Sequence, residues 1–147
     1  MNHPLFTARS ANWPDDIPAL RLVRTRVFIN EQKVPETLEW DNDDPIALHF
    51  LAEDESGQPI GTARLLQTGQ IGRMAVLKKW RGRGVGNALL SRVLAQITLD
   101  QYPSPFLNAQ VQVVGFYSRF GFVPQGEPFS EAGILHQRME ILCVSSS

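Results

Sequence analysis

Apolar positions along the 147-residue chain change their spacing several times, and the changes mark its elements. A short strand is expected near Leu5 to Ala8. From about Asp16 to Asn30, Ile17, Leu20, Val23, Val27 and Phe28 recur at helical spacing. Asp15 or Asp16 suits the cap of that helix and Pro18 its first turn. Glu31 to Pro45 is acidic and broken by Pro35 and Pro45, and it reads as loop or short helix. Three strand-like runs follow: Leu48 to Asp54, Ile60 to Leu66 and Ile71 to Val76. Turns at Ser56-Gly57-Gln58-Pro59 and Thr68-Gly69-Gln70 separate them. After a loop from Leu77 to Arg83, a helix from about Gly84 to Leu99 places Val85, Leu89, Leu90, Val93, Leu94 and Ile97 on one face. Beyond the connection Tyr102-Pro103-Ser104-Pro105, Phe106 to Ala109 reads as a strand and Val113 to Phe120 as a short helix. Phe122 to Pro124 starts another strand, and Leu135 to Val144 is the last. Hairpinned strands followed by strands alternating with helices predict an α/β (α+β) mixed sheet. No repeat, low-complexity tract or linker interrupts the chain, so residues 1–147 read as one domain.

Composition narrows the functional classes. Hydrophobic residues make up 43% of the chain, enough for a core and too many for a disordered chain. No apolar run approaches the ~20 residues that span a bilayer, so no membrane partner is expected. Pro4, Arg9, Asn12 and Pro14 interrupt any apolar stretch near the start, so no secretory leader is expected. Cys143 is the sole cysteine, which permits no intramolecular disulfide and suits a cytoplasmic location. The balance of 14 Lys+Arg against 15 Asp+Glu gives a net charge of −1. That argues against a nucleic-acid partner, whose binding draws on phosphate neutralisation.

The segment Ile71 to Asn87 carries the most chemistry. Gly82, Gly84 and Gly86 let the backbone turn sharply and aim successive N–H groups outward. The first turn of the following helix adds unpaired donors and the positive end of its dipole, which together make a cradle for a pyrophosphate-like anion. Lys78, Lys79, Arg81 and Arg83 concentrate positive charge beside it. The dinucleotide fingerprint fails in both registers, because its third glycine falls on Asn87 or Leu89. The P-loop fails because no Lys-Ser or Lys-Thr pair follows the glycines. Arg81-x-x-Gly84-x-Gly86 between a strand and a helix is what remains.

That motif, preceded by Met74-Ala75-Val76, resembles the acyl-CoA-binding motif of the GNAT acyltransferase superfamily. Phe28-Ile29-Asn30-Glu31-Gln32 with the acidic stretch 39–44, then Asn108-Ala109-Gln110, then Phe116-Tyr117-Ser-Arg-Phe-Gly121-Phe122, is similar to its bacterial ElaA/YjcF-type subgroup. The resemblance implies a mixed, mostly antiparallel twisted sheet of six to seven strands with four flanking helices and a splay between the fourth and fifth strands. It implies acetyl-CoA as co-substrate, no metal, and an N-acyltransferase acting on a small-molecule amine or peptide acceptor by direct attack in a ternary complex. Backbone at Met74, Ala75 and Val76 would pair with the pantetheine arm, with the Val76 N–H holding the oxyanion. Amides of Arg81, Gly82, Arg83, Gly84, Val85, Gly86 and Asn87 would hold the pyrophosphate. Homodimers are common in that family, so a homodimer is one assembly to test.

Single residues are read two ways. Asn108 either contacts the pantetheine or makes a local turn bond. Tyr117 either protonates the departing CoA thiolate or packs as core with its hydroxyl at the rim. The candidate bases are Glu31 and His136, with His49 behind them; each histidine is equally readable as a structural hydrogen-bonding residue. Asp41-Asn42-Asp43-Asp44 lacks the glycine and bidentate glutamate of a calcium loop and reads as a solvated turn. Asp41, Asp43 and Asp44 also hint at a cationic acceptor. Cys143 reads as a packed strand residue, and His3, His49 and His136 lack metal-ligand spacing. The alternative to an enzyme is a CoA-binding sensor or scaffold without catalysis.

Overall fold

The computed structural model describes residues 5–141. Eight strands form one sheet: β1 (Phe6–Ala11), β2 (Leu48–Asp54), β3 (Pro59–Leu65), β4 (Gln70–Val76), β5 (Phe106–Gln110), β6 (Phe122–Pro124), β7 (Phe129–Glu131) and β8 (Ile134–Ile141). Their order is β1-β2-β3-β4-β5-β8-β6, with β7 also paired to β8. Every pairing is antiparallel except β4 with β5. Four α-helices flank the sheet: α1 (Ile17–Arg24), α2 (Glu36–Glu39), α3 (Val85–Leu99) and α4 (Val114–Ser118).

From Ile60 to Leu65, β3 is buried at every position, which requires cover on both faces because successive side chains alternate. Helices α1 and α3 both pack on β3 and supply that cover. Gly61 sets the distance of α3 from the sheet: a Cβ there would lie 2.9 Å from Leu89 Cδ1 and 3.0 Å from Val85 Cγ1. The apolar face expected of α3 is the buried one, with Val85, Leu89, Leu90, Val93 and Ile97 in the core. Each such side chain stabilises the fold by about 1.5–3 kcal/mol relative to exposure.

Four differences from the sequence reading have physical causes. The first helix stops being α-helical at Arg24 and continues through Thr25–Glu31 as a π-helix, closed by the Gln32 N–H donating to Val27 O at 3.0 Å. Its wider turns bring Phe28 and Glu31 to the wall of a cleft. Asp16 precedes this helix but does not cap it: its carboxylate accepts both Arg9 Nη1 and Nη2 at 3.0 Å and the Asn12 N–H at 2.8 Å. A strand unforeseen in sequence, β7, hairpins onto β8 through the positive-φ pair Ala132-Gly133. The turn at 41–44 is solvated only in part: Asn42 and Asp43 are exposed and Asp41 is half-buried, but its last residue is enclosed. Asp44 is 2% exposed and Glu39 3%, both enclosed with Arg24. His3, Cys143 and the end of the expected last strand lie outside the described residues. Among those residues no helix is long and apolar enough to cross a membrane, and no group of three potential metal ligands occurs.

Candidate active site

The site begins with a defect in strand pairing. Thr62 opposes Ala75 and Arg64 opposes Gly72, so Arg73 and Met74 together face Ala63 alone. This is a β-bulge, and it holds Arg73 at φ 49°. Thr62 Oγ1 fixes it by donating to Arg73 O at 3.0 Å. On its other side β4 pairs with β5 only at Gln70–Phe106 and Ile71–Leu107, after which β5 follows β8 as far as Gln110–His136. The gap left between β4 and β5 is the centre of a cleft of about 1110 Å³.

One edge of the gap is bare backbone. The Leu77 N–H donates to Ile60 O on the β3 side at 2.9 Å, so ladder alternation turns the N–H and C=O of Val76 toward the gap. Arg81 Nε donates to that carbonyl at 2.9 Å, while the N–H has no strand beside it. The next segment turns through Gly82 at φ 75° and Gly84 at φ 89°, conformations that cost an L-residue about 1–2 kcal/mol. Gly84 is the N-cap of α3 and supplies no side chain to it. The consecutive N–H groups of residues 82–87 find no acceptor among the described residues and stand at the positive end of a 15-residue helix. A diphosphate suits that donor row, and the space beside Gly82 is open: a Cβ there would meet nothing within 4 Å.

Of the residues expected at the site, Met74, Ala75, Val76, Arg81, Gly82 and Gly84 line the cleft, as do Val85, Gly86, Asn87, Asn108 and Tyr117. The candidate bases Glu31 and His136 line it too, while His49 does not. The Arg83 side chain departs from this set; its guanidinium stacks on Trp80, 4.8 Å from the ring centre, leaving only its backbone at the cradle. Asn108 lines the gap and makes no side-chain hydrogen bond among the described residues, so the local turn bond is not formed.

Tyr117 is 7% exposed, wedged edge-on against Phe116 and Phe122. Burial raises its pKa well above the ordinary phenol value, so it keeps its proton at neutral pH. Its oxygen has no hydrogen-bond partner among the described residues, and yet it is not sealed in; the single enclosed, unpartnered side-chain nitrogen or oxygen there is Arg64 Nε. The phenol therefore opens to the cleft.

The two candidate bases sit in opposite surroundings. Glu31 forms a two-pronged pair with Arg81, Oε2 to Nη1 and Oε1 to Nη2, both at 2.7 Å. Those bonds hold its carboxyl below the usual carboxylate range, which makes it a weak proton acceptor. His136 is buried, stacked on Phe129, and bonded through Nδ1 to Ile134 O at 2.7 Å. A carbonyl only accepts, so Nδ1 carries a proton, and in the neutral ring Nε2 is the acceptor nitrogen. His49 is structural: it is 2% exposed, stacks on Trp13 and donates from Nε2 to Asp44 O at 2.7 Å. Burial pushes its pKa down.

The wall opposite the gap is ionic, and reading the sequence missed it. Arg24, 1% exposed, donates to Glu39 Oε2 at 2.8 Å and to both oxygens of Asp44, at 2.9 and 3.2 Å. Arg64 Nη1 joins Asp41 at 2.8 Å to Asp44 at 3.0 Å. Arg73 reaches Asp41 Oδ2 and Glu39 O, both at 3.0 Å, which pins the bulge to the acidic loop. Burial pushes the Glu39 carboxyl up against the opposing pull of Arg73 and Arg24. At Asp44 burial acts in the same direction, but hydrogen bonds from Arg24 and Arg64 outweigh it and bring the carboxyl below its usual range. Asp41 and Asp44 are thus occupied by arginines, and of the three aspartates that hinted at a cationic acceptor Asp43 alone stays exposed on the cleft wall without an arginine partner among the described residues. A second link missed in sequence crosses the cleft as paired amides: Gln110 Nε2 donates to Gln32 Oε1 at 2.8 Å, and Gln32 Nε2 to Gln110 Oε1 at 3.3 Å.

A splayed mixed sheet with a bulged fourth strand and an amide cradle at the head of the next helix defines an acyltransferase class. A family profile described as an acetyltransferase (GNAT) domain matches residues 15–143, and the chain belongs to that family. It is 36% identical over 122 residues to the uncharacterized N-acetyltransferase YjcF of Bacillus subtilis, covering 80% of this chain and 86% of that one. Escherichia coli ElaA is 32% identical over 134 residues, covering 80% and 82%. The crystal structure of E. coli ElaA superposes with a TM-score of 0.81 at 28% identity, over 93% of this chain and 98% of that one. An acyl-CoA N-acyltransferase from Pseudomonas aeruginosa superposes at 0.80 with 32% identity, over the same shares.

Proposed function

We propose that the chain transfers an acetyl group from acetyl-CoA to a primary amine, carried by a small molecule or a peptide, by direct attack. The observation that carries this reading is the row of N–H groups at 82–87 that have no partner among the described residues, beside a bare β4 edge and a phenol that opens into the same cleft. Acetyl-CoA supplies the activated carbonyl. The amides of residues 82–87 hold its diphosphate, and the backbone of Met74 to Val76 lies along its pantetheine. Asn108 lines the far side of the gap.

His136 Nε2 takes the first proton from the acceptor ammonium. The freed amine forms the new C–N bond, and the Val76 N–H holds the oxygen that becomes negative. The C–S bond then breaks. Tyr117 gives its proton to the sulfur and is reprotonated by the second proton leaving nitrogen, so the products are amide, free thiol and one proton on His136. Nothing in this sequence requires a covalent enzyme intermediate.

The test is thiol release from purified chain with acetyl-CoA and a panel of primary amines. Tyr117→Phe is expected to lower the rate by about 10²–10⁴-fold at unchanged CoA affinity. A Phe variant turning over like the wild type would remove Tyr117 from the reaction.

A further inference from the structure

The β7–β8 hairpin places two hydrogen-bond acceptors side by side at the cleft. Glu131 Oε1 lies 3.9 Å from His136 Nε2, and both residues line the cleft. The ring of His136 has no freedom to turn away, because Nδ1 is tied to Ile134 O and the face is stacked on Phe129, 6.0 Å between ring centres at 23°. In the neutral ring the proton sits on Nδ1, so Nε2 and the carboxylate then confront each other as two acceptors, 3.9 Å apart. Two acceptors at that separation are a site for one donor carrying at least two hydrogens. A nitrogen about 2.9 Å from each would subtend roughly 85°, close enough to the tetrahedral angle for two N–H bonds to reach both.

We infer that Glu131 and His136 together hold the ammonium of the acceptor, and that the acceptors of this chain are alkyl amines protonated at neutral pH rather than neutral nitrogen nucleophiles. The inference rests on the proposed acyl transfer for its biological meaning, but its physical content is a binding site. Glu131 neutralises the ammonium before transfer. Once His136 Nε2 has taken the proton, the same carboxylate faces an imidazolium and stabilises it as an ion pair. The role falls to Glu131 because it is the cleft carboxylate that stands within 4 Å of His136 Nε2, whereas Glu39 and Asp41 are bound to arginines, Glu31 is bound to Arg81, and Asp43, on the acidic loop, makes no such contact with the ring among the described residues.

The experiment follows the His136 ring resonances by NMR in the full chain while n-butylammonium chloride is added to 100 mM. Tetramethylammonium chloride, equal in charge and without N–H donors, is the control. The expected result is a saturable shift with n-butylammonium alone, weakened at least tenfold in Glu131→Gln and largely recovered in Glu131→Asp. Glu131→Gln should keep the wild-type affinity for CoA. No saturable shift in the wild type, an equal response to both cations, or an unchanged response in Glu131→Gln overturns the site. CoA titration separates the two ideas: loss of CoA binding defeats the proposed transfer while the ammonium result is read independently.

Discussion

Replacing Arg24 with methionine removes the centre of the buried ionic wall while keeping most of its volume. The wild-type guanidinium makes three hydrogen bonds to carboxylate oxygens and one to Glu39 O, all inside the protein. Its loss leaves Glu39 and Asp44 enclosed, with Arg73 3.2 Å from the first and Arg64 3.0 Å from the second as partial compensation. Breaking one partner out of a buried pair costs about 3–5 kcal/mol, and the remaining arginines favour the lower end, about 3 kcal/mol. For a chain of this size that is a fall in Tm of roughly 6–12 °C. The cost has a pH signature. In the wild type Asp44 is depressed, so its contribution is present above the unfolded value of 3.8 and lost as pH falls through the folded value. In the variant burial acts with less opposition and the buried carboxyls titrate higher, so protonation relieves the penalty on acidification. Urea unfolding at pH 7.5 and pH 5 measures both quantities. A loss under about 1 kcal/mol, the range of exposed pairs, or a loss independent of pH, would refute the reasoning.

Two further outcomes follow from the same geometry. Gly84→Ala forces a side chain onto φ 89° where its Cβ meets only Phe6 Cζ at 3.9 Å, so folding survives at a cost of about 1–2 kcal/mol while the displaced amides lose roughly tenfold in CoA affinity, read by urea melts and calorimetry. His49, depressed by burial, contributes stability that is complete above its unfolded value of 6.5 and falls away as pH drops toward the lower folded value. Stability should therefore decline below about pH 6.5, before the carboxylates titrate, and His49→Gln should flatten that part of the curve.

Much of this fold can be read along the chain because its elements are locally consistent. The meander β2–β4 came within a residue of its observed bounds, since apolar runs there end at Gly57 and Gly69, both at positive φ. The helix beginning after Gly84 was equally plain from its apolar stripe and its glycine turn. Strand β7 escaped because all three of its residues are exposed and show no alternation. The π-helical segment escaped because its residues continue the helical spacing and differ only in which carbonyl each N–H meets. The ionic wall left one unread signal. Arg24 stands on the stripe between Leu20 and Phe28, where a charged side chain is buried and must be paired. Its partners, 15 and 20 residues away, carry no local mark of the pairing.

The central claim is that amides 82–87 grip a diphosphate, and calorimetric titration of the full chain with coenzyme A, set beside pantetheine, tests it most directly. The account predicts saturable one-to-one binding of coenzyme A and affinity at least a hundredfold weaker for pantetheine, which lacks the diphosphate; equal affinity for the two, or no binding of coenzyme A at all, would contradict it.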